Sequence, residues 1–316
     1  MSTFASTKLK APPRRSFNSR DDVPVLAHGV LIYGEREERS QVGPGWSQRF
    51  DADSVFEISE TDSLEQASVI AFSSTPLQLR NRSSIEEWVN KFLGRPVYMD
   101  ITGLSHHVWM PILRVLVEGG FQTLCIYSEP EKYAANPHPK PGEFYSLSER
   151  VRGFFPIPSF SRLPSRSDRS PVLVPLLGFE GVRFRHLVDK LEPNEHDIVP
   201  FIGVPGFEVD YPFHTYEGNS EILSTSRSWQ RAEYVDAACP FAVYSALDAL
   251  RGSQPRRLLQ LAAIGTKPHA LGAMLFALND GNCEILHDHP IRKKNRTVGT
   301  GKCHLYDVSG FFGFGQ

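Results

Sequence analysis

The chain has 316 residues, 34 Lys and Arg against 36 Asp and Glu, a formal net charge of −2 and a hydrophobic content of 41%. That much apolar sequence excludes a disordered chain, and near-neutral charge excludes a global basic field that would recruit nucleic acid. No apolar run reaches the roughly 18–20 residues that cross a bilayer, and Cys125, Cys239, Cys283 and Cys303 form no C-x-x-C pair, which excludes a zinc ribbon and a secreted disulfide framework. A cytoplasmic protein with one large α/β domain or two modest ones is expected.

Residues 1–22 read as a disordered basic tail. Lys8, Lys10, Arg14, Arg15 and Arg20 meet no acid in the first twenty positions, and Pro12-Pro13 interrupts any amphipathic presequence helix. Such a tail leaves contact with nucleic acid or with an acidic protein face open.

Residues 23–135 form a first half. Val30–Gly34 reads as a strand with Glu35 and Arg36 behind it, and Ser68–Pro76 as a second apolar run. Ile85–Leu93 reads as a helix, and Val97–Pro130 as strand, turn, helix and strand. Residues 136–170, rich in Pro, Ser and Arg, read as a linker with a short helix at Ser146–Val151 and an aromatic patch at Phe154, Phe155 and Phe160.

The second half, 171–295, repeats the order. Val172–Gly178 is a strand followed by Glu180, Arg183 and Arg185, and Asp197–Gly206 is the next run. Phe207–Arg227 reads as a long irregular lid. Phe241–Leu250 is a helix, and Leu258–Pro290 is again strand, turn, helix and strand. Residues 296–316 are a tail ending in aromatics. Setting Gly103 on Gly265 places His107 on His269, so the two halves look like an internal duplication. Continuously apolar strands alternating with helices imply mostly parallel sheets covered on both faces, hence an α/β fold of two Rossmann-like βαβ halves.

The strongest local signal is Gly265-Thr266-Lys267-Pro268-His269. Gly265 permits a tight turn and Pro268 suits a first helical turn, so Thr266 and Lys267 stand where unpaired N–H groups favour an anion, most often phosphate. The counterpart turn offers Asp100, Thr102, Gly103, Ser105, His106 and His107; Ser105 suits a helix cap and Asp100 a ribose hydroxyl or a metal. Glu35 and Arg36 in one half, and Gly178, Glu180 and Arg183 in the other, follow strand ends, where open α/β sheets bind ligands. Gly203–Gly206 is a plain turn or a close-approach loop. The ordinary alternatives are capped turns and salt-bridged helix faces. His287-Asp288-His289 lacks a third ligand at metal spacing, so no metal is expected, nor any cofactor. Ile291–Arg296, with four basic residues, is either a solvated exit from the sheet or the basic rim of an anion site. No G-x-S-x-G, P-loop, kinase set or G-x-G-x-x-G is present.

The strand–Gly265-Thr266-Lys267–helix–strand element resembles the C-terminal ligand element of CRISPR-associated Rossmann-fold (CARF) sensor domains, over about 30 residues. That resemblance implies phosphate contacts from Gly265, Thr266 and Lys267, nucleotide sensing, a protein partner that carries the effector activity, and a setting in prokaryotic defence or stress. Pro268 and His269 depart from that pattern, and no effector domain is recognisable. The leading expectation is a nucleotide- or phosphoanion-recognition protein with one pocket built from both halves. Two alternatives stand beside it. One is a hydrolase or transferase using His107, His269 or Glu180 as general base; the other is a ligand-free adaptor working through its aromatic linker and tail.

Overall fold

A computed structural model describes residues 13–70, 75–162 and 170–313. The chain forms two compact units: Met1–Lys132 with Thr297–Gln316, and Tyr133–Arg296. Both are α/β, with largely parallel sheets at their centres.

In chain order the first unit contains β1 (Arg14–Phe17), β2 (Val30–Tyr33), α1 (Pro44–Ser47), β3 (Val55–Glu60), β4 (Gln66–Val69), β5 (Leu77–Gln78), α2 (Arg82–Val89), β6 (Val97–Asp100), α3 (His106–Glu118) and β7 (Thr123–Ser128). β8 (Lys132–Tyr133) follows at the boundary. The sheet order is β1-β18-β7-β6-β2-β3-β4-β5, where β18 is Cys303–Asp307. The run β7-β6-β2-β3 is parallel, flanked by antiparallel strands on both sides. Every residue of β6 and β7 is buried, as a strand packed on both faces requires.

The second unit contains β9 (Ser148–Val151), β10 (Phe155–Pro156), β11 (Val172–Leu176), α4 (Gly181–Leu191), β12 (Phe201–Gly203), α5 (Tyr211–Thr225), β13 (Glu233–Val235), α6 (Pro240–Ser253), β14 (Leu259–Ala263), α7 (Lys267–Asn279), β15 (Cys283–His287) and β16 (Pro290–Arg292). β17 (Thr297–Val298) and α8 (Val308–Phe311) complete the chain. The main sheet runs β10-β15-β14-β11-β12-β13, parallel except for β10. Numbered along the chain, its parallel strands stand in the doubly wound order 3-2-1-4-5, with the switch point between β11 and β14. Residues Lys267 to Phe276 of α7 are all buried, and their nearly continuous apolar sequence is what a helix covered all round needs.

Several expectations change. Of the supposed basic tail, residues 1–12 lie outside the described residues, but Arg14–Phe17 is an edge strand paired with β18, and Arg20 makes a buried ion pair with Asp100 at 2.9 Å. A carboxylate needing a cation outweighs the polar composition of the segment. The C-terminal segment is likewise no tail: Cys303, Leu305 and Tyr306 are buried between β1 and β7, while 314–316 lie outside the described residues. Where a helix is expected over Ser146–Val151, Ser148–Val151 is a strand, and residues 148–156 join the second unit's strands instead of forming a linker; 163–169 lie outside the described residues. The stretch read as a lid, Phe207–Arg227, holds the fifteen-residue α5. Gly218 and Thr215 hide its helical pattern, although Pro212 in its first turn was a legible start signal. β3 and β13 were not read from the sequence, and most of Ser68–Pro76 contributes only the end of β4, with 71–74 outside the described residues.

Candidate ligand-binding site

The second unit brings two strand-to-helix turns together at its switch point. After β11 the chain runs through Gly178 to Gly181, and after β14 through Gly265 to Lys267. A Cβ on Gly265 would lie 2.5 Å from the Leu177 carbonyl oxygen, and one on Gly178 would lie 3.0 Å from that of Ile264. Only glycines let the turns pack this closely. Arg183 fastens them: its Nε and Nη2 donate to the Asp288 carboxylate, both at 2.6 Å, and its Nη1 donates to the Ile264 carbonyl at 2.7 Å. Burial opposes charge on both partners, but each holds the other ionised, keeping the Asp288 carboxyl below its ordinary range and the guanidinium above its own.

Thr266 caps α7 as its position suggests. Its Oγ1 accepts from His269 N–H at 3.3 Å and donates to the Ala237 carbonyl at 2.9 Å. Lys267 is only 5% exposed, so it sits inside this packing rather than at an open mouth. His269 is fully buried, with Nε2 3.1 Å from the Asp236 carbonyl oxygen, and burial lowers its pKa to about 4. That imidazole is neutral at pH 7 and too weak a base to take a proton there.

The open space lies on the other side of the first turn. A cleft of about 840 Å3 is lined by the start of α4, by α5 around Gly218 and by residues 141–151. α4 starts just past the carboxyl end of β11, so its N-terminus faces this edge of the sheet. A Cβ on Gly181 would stand 1.8 Å from the Gly218 carbonyl oxygen, which explains how two helices close the floor. The N–H groups of Gly181 and Val182 stand in the first turn of α4, where no carbonyl four residues back can receive them. Glu180 accepts from Leu147 N–H and Ser148 N–H, each at 2.8 Å, and from Ser148 Oγ at 2.7 Å. Its carboxylate therefore ties the 141–151 segment across the cleft and has little left for a ligand. Below, Asn219 donates to the carbonyls of Gly178 and Thr215 at 2.8 and 2.7 Å, and its own side-chain oxygen has no hydrogen-bond partner among the described residues. Arg150 is exposed at the rim, whereas Arg185 is paired with Glu221.

The first unit places its corresponding residues differently. Gly103 packs on Gly34, where a Cβ would stand 1.6 Å from the Gly34 carbonyl oxygen. Glu60 fills the N-terminus of α3: it accepts from Ser105 N–H at 2.5 Å and pairs with Arg36, which also donates to Ser105 Oγ at 2.9 Å. Burial disfavours charge on Glu60, but Arg36, His107 and the Ser105 N–H outweigh it and hold its carboxyl below the usual range. Asp100 is 1% exposed, accepting from Thr102 N–H at 2.9 Å and facing Arg20. Thr102 Oγ1 accepts from Ser128 N–H at 2.9 Å, His107 is buried, and Glu35 accepts from Val42 N–H at 3.1 Å.

Of the residues named from sequence, Gly178, Glu180, Arg183, Gly265, Thr266, Lys267 and His269 fall in the second unit, while Glu35, Arg36, Asp100, Thr102, Gly103, Ser105 and His107 fall in the first. Ser148, Arg150, Gly218 and Asn219 were missed, because they lie in segments read as linker and lid, and Val182 was passed over between Glu180 and Arg183 because an apolar side chain offers no ligand group. Among the described residues, no group of three or more His, Cys, Asp or Glu side chains could hold a metal, and no helix is long and apolar enough to cross a membrane. The buried thiol of Cys303 is pushed up to about 12, leaving it unreactive near neutral pH. No protein-family model matches the chain, and no curated protein is similar to it.

Proposed function

We propose that the second unit recognises a small phosphorylated ligand, a nucleotide or related phosphoanion, in the cleft at the N-terminus of α4. One observation carries this reading: the start of α4, just past the carboxyl end of β11 in the 3-2-1-4-5 sheet, lines an open cleft of about 840 Å3. A cleft of this size suits a nucleotide-sized molecule. Recognition is favoured over turnover, since His269 is buried and held near 4 while Glu180 is saturated by three donors. We read the four-strand order common to both units as the trace of an internal duplication. The likeness of Gly265-Thr266-Lys267 to the turn of CARF sensors supports sensing with output through a partner.

Calorimetric titration with inorganic phosphate and with nucleoside mono-, di- and triphosphates tests the proposal. Val182→Pro removes one first-turn N–H at a position that tolerates proline, and Val182 is 61% exposed, so the helix survives. The expected outcome is about tenfold weaker binding in Val182→Pro and in Arg150→Ala, with no loss in Lys267→Ala, whose side chain is buried and not among the cleft lining. Absence of binding at millimolar ligand, or affinity indifferent to Val182→Pro, eliminates this site.

A further inference from the structure

The second unit carries a basic ribbon of which the cleft takes only the Arg150 end. β9 and β16 pair antiparallel, with Arg150 opposite Ile291 and Val151 opposite Pro290. The pairing continues through Arg152 N–H to the His289 carbonyl and Gly153 N–H to that of Asp288, then into β10 against β15. Positive φ at Gly153 (120°) and His289 (47°) bends the ribbon between its two parts. By composition, residues 148–152 and 290–296 contain six Lys and Arg and one acid, Glu149, a net +5 in a chain whose total is −2. Arg150, Arg152 and Lys294 are exposed. Lys293 donates to the Ser146 hydroxyl at 2.6 Å.

Beyond the bend stands an aromatic. Phe155 is 47% exposed, with the Lys190 ammonium 4.7 Å from its ring centroid. Arg150 lies in β9, Arg152 follows just beyond it, and Phe155 stands in β10 past the bend at Gly153. Cations that follow a strand towards a half-exposed ring match the two parts of a single-strand binding surface, charge for the backbone and a platform for a base. The half-exposed ring beyond the cations favours a strand that carries bases over an acidic peptide, which needs no stacking platform. The ribbon's apolar residues Val151 and Ile291 are half-buried, which does not provide the inserted apolar face that a lipid surface needs.

The geometry points to a single-stranded nucleic acid as the partner of this ribbon, its backbone along Arg150, Arg152 and Lys294 and a base on Phe155. Arg150 is shared with the cleft, whereas Lys294 and Phe155 are not among its lining residues. Fluorescence anisotropy of the full chain with labelled oligothymidylate and oligouridylate, over a range of salt, tests it. Affinity should fall with salt, with a log–log slope near −0.7 per phosphate contacted. The double variant Arg150→Glu, Lys294→Glu should weaken binding at least about tenfold and flatten that slope. Phe155→Ala should weaken it by about tenfold with the slope retained, and Phe155→Tyr should restore it. Phe155→Ala and Lys294→Glu should leave the mononucleotide titration unchanged, which separates this surface from the cleft. No binding at low salt overturns the proposal. So does binding that Phe155→Ala leaves intact and that polyglutamate displaces equally well, because the ribbon then takes any polyanion.

Discussion

The two units solve one packing problem and reach opposite chemical ends. Each sets a parallel strand pair side by side, β2 with β6 and β11 with β14, and each lets the following turns touch through glycine, Gly34 with Gly103 and Gly178 with Gly265. In the first unit the chain then supplies its own ligands: the Glu60 carboxylate sits on the N-terminus of α3, and Arg20 sits on Asp100. In the second unit Arg183 and Asp288 lock the turns, yet the N-terminus of α4 opens on a cleft. Strand order therefore identifies where a site belongs, but an internal carboxylate decides whether anything else can bind there.

The contrast breaks most readily at its lock. Arg183→Ala strands the Asp288 carboxylate, which is 0% exposed, and should lower stability by about 3–5 kcal/mol in urea unfolding. A loss no larger than that of an exposed ion pair would show that the turns are held together without it.

Acid separates the units next. The unfolded His269 takes up a proton near 6.5 and the folded one only near 4, so protons favour unfolding between those values. The stability it contributes is complete above pH 6.5, declines on acidification and is gone below about 4, a change on the order of 3 kcal/mol. His269→Gln should reduce the pH dependence of the unfolding free energy across that window, the buried His287, also held well below 6.5, supplying what is left. Glu60 acts lower on the scale. Its folded pKa is depressed below 4.5, so its contribution persists above that value and is lost as pH falls through the folded one. Glu60→Gln should remove its own share of this lower component, to which Asp288 and Asp197 also contribute, and leave the His269 window in place.

A smaller effect tests the first unit's turn. Gly103→Ala drives a methyl into the Gly34 carbonyl and should cost about 1–3 kcal/mol, whereas Gly43→Ala, with no atom within 4 Å of the new Cβ, should be nearly neutral. Thermal unfolding of both variants would measure the difference, and equal melting temperatures would mean that the turns are not in tight contact.

Where apolar periodicity was strong, local order followed it. β2, β6, β11, β14, α3, α6 and α7 stand close to their expected places, because continuous apolar runs have few alternatives to burial. Thr266 as cap and Gly265 as turn were also legible, since both follow from backbone chemistry over a few residues. β9 and α5 were not, because Ser148–Val151 is short and polar, and Tyr211–Thr225 contains a glycine and a weak apolar face.

By itself, then, the sequence determined an α/β protein with two sets of strand–turn–helix units and glycine-bearing turns at their strand ends. These are local consequences of burial and backbone freedom. Tertiary structure alone decided the fate of each charge: Glu60 on α3, Arg20 on Asp100, Arg183 on Asp288, Lys267 inside and the α4 terminus open. Partners 45 to 105 residues apart leave no periodic mark on the chain, and their pairing is fixed only when desolvation forces each buried ion to find its complement.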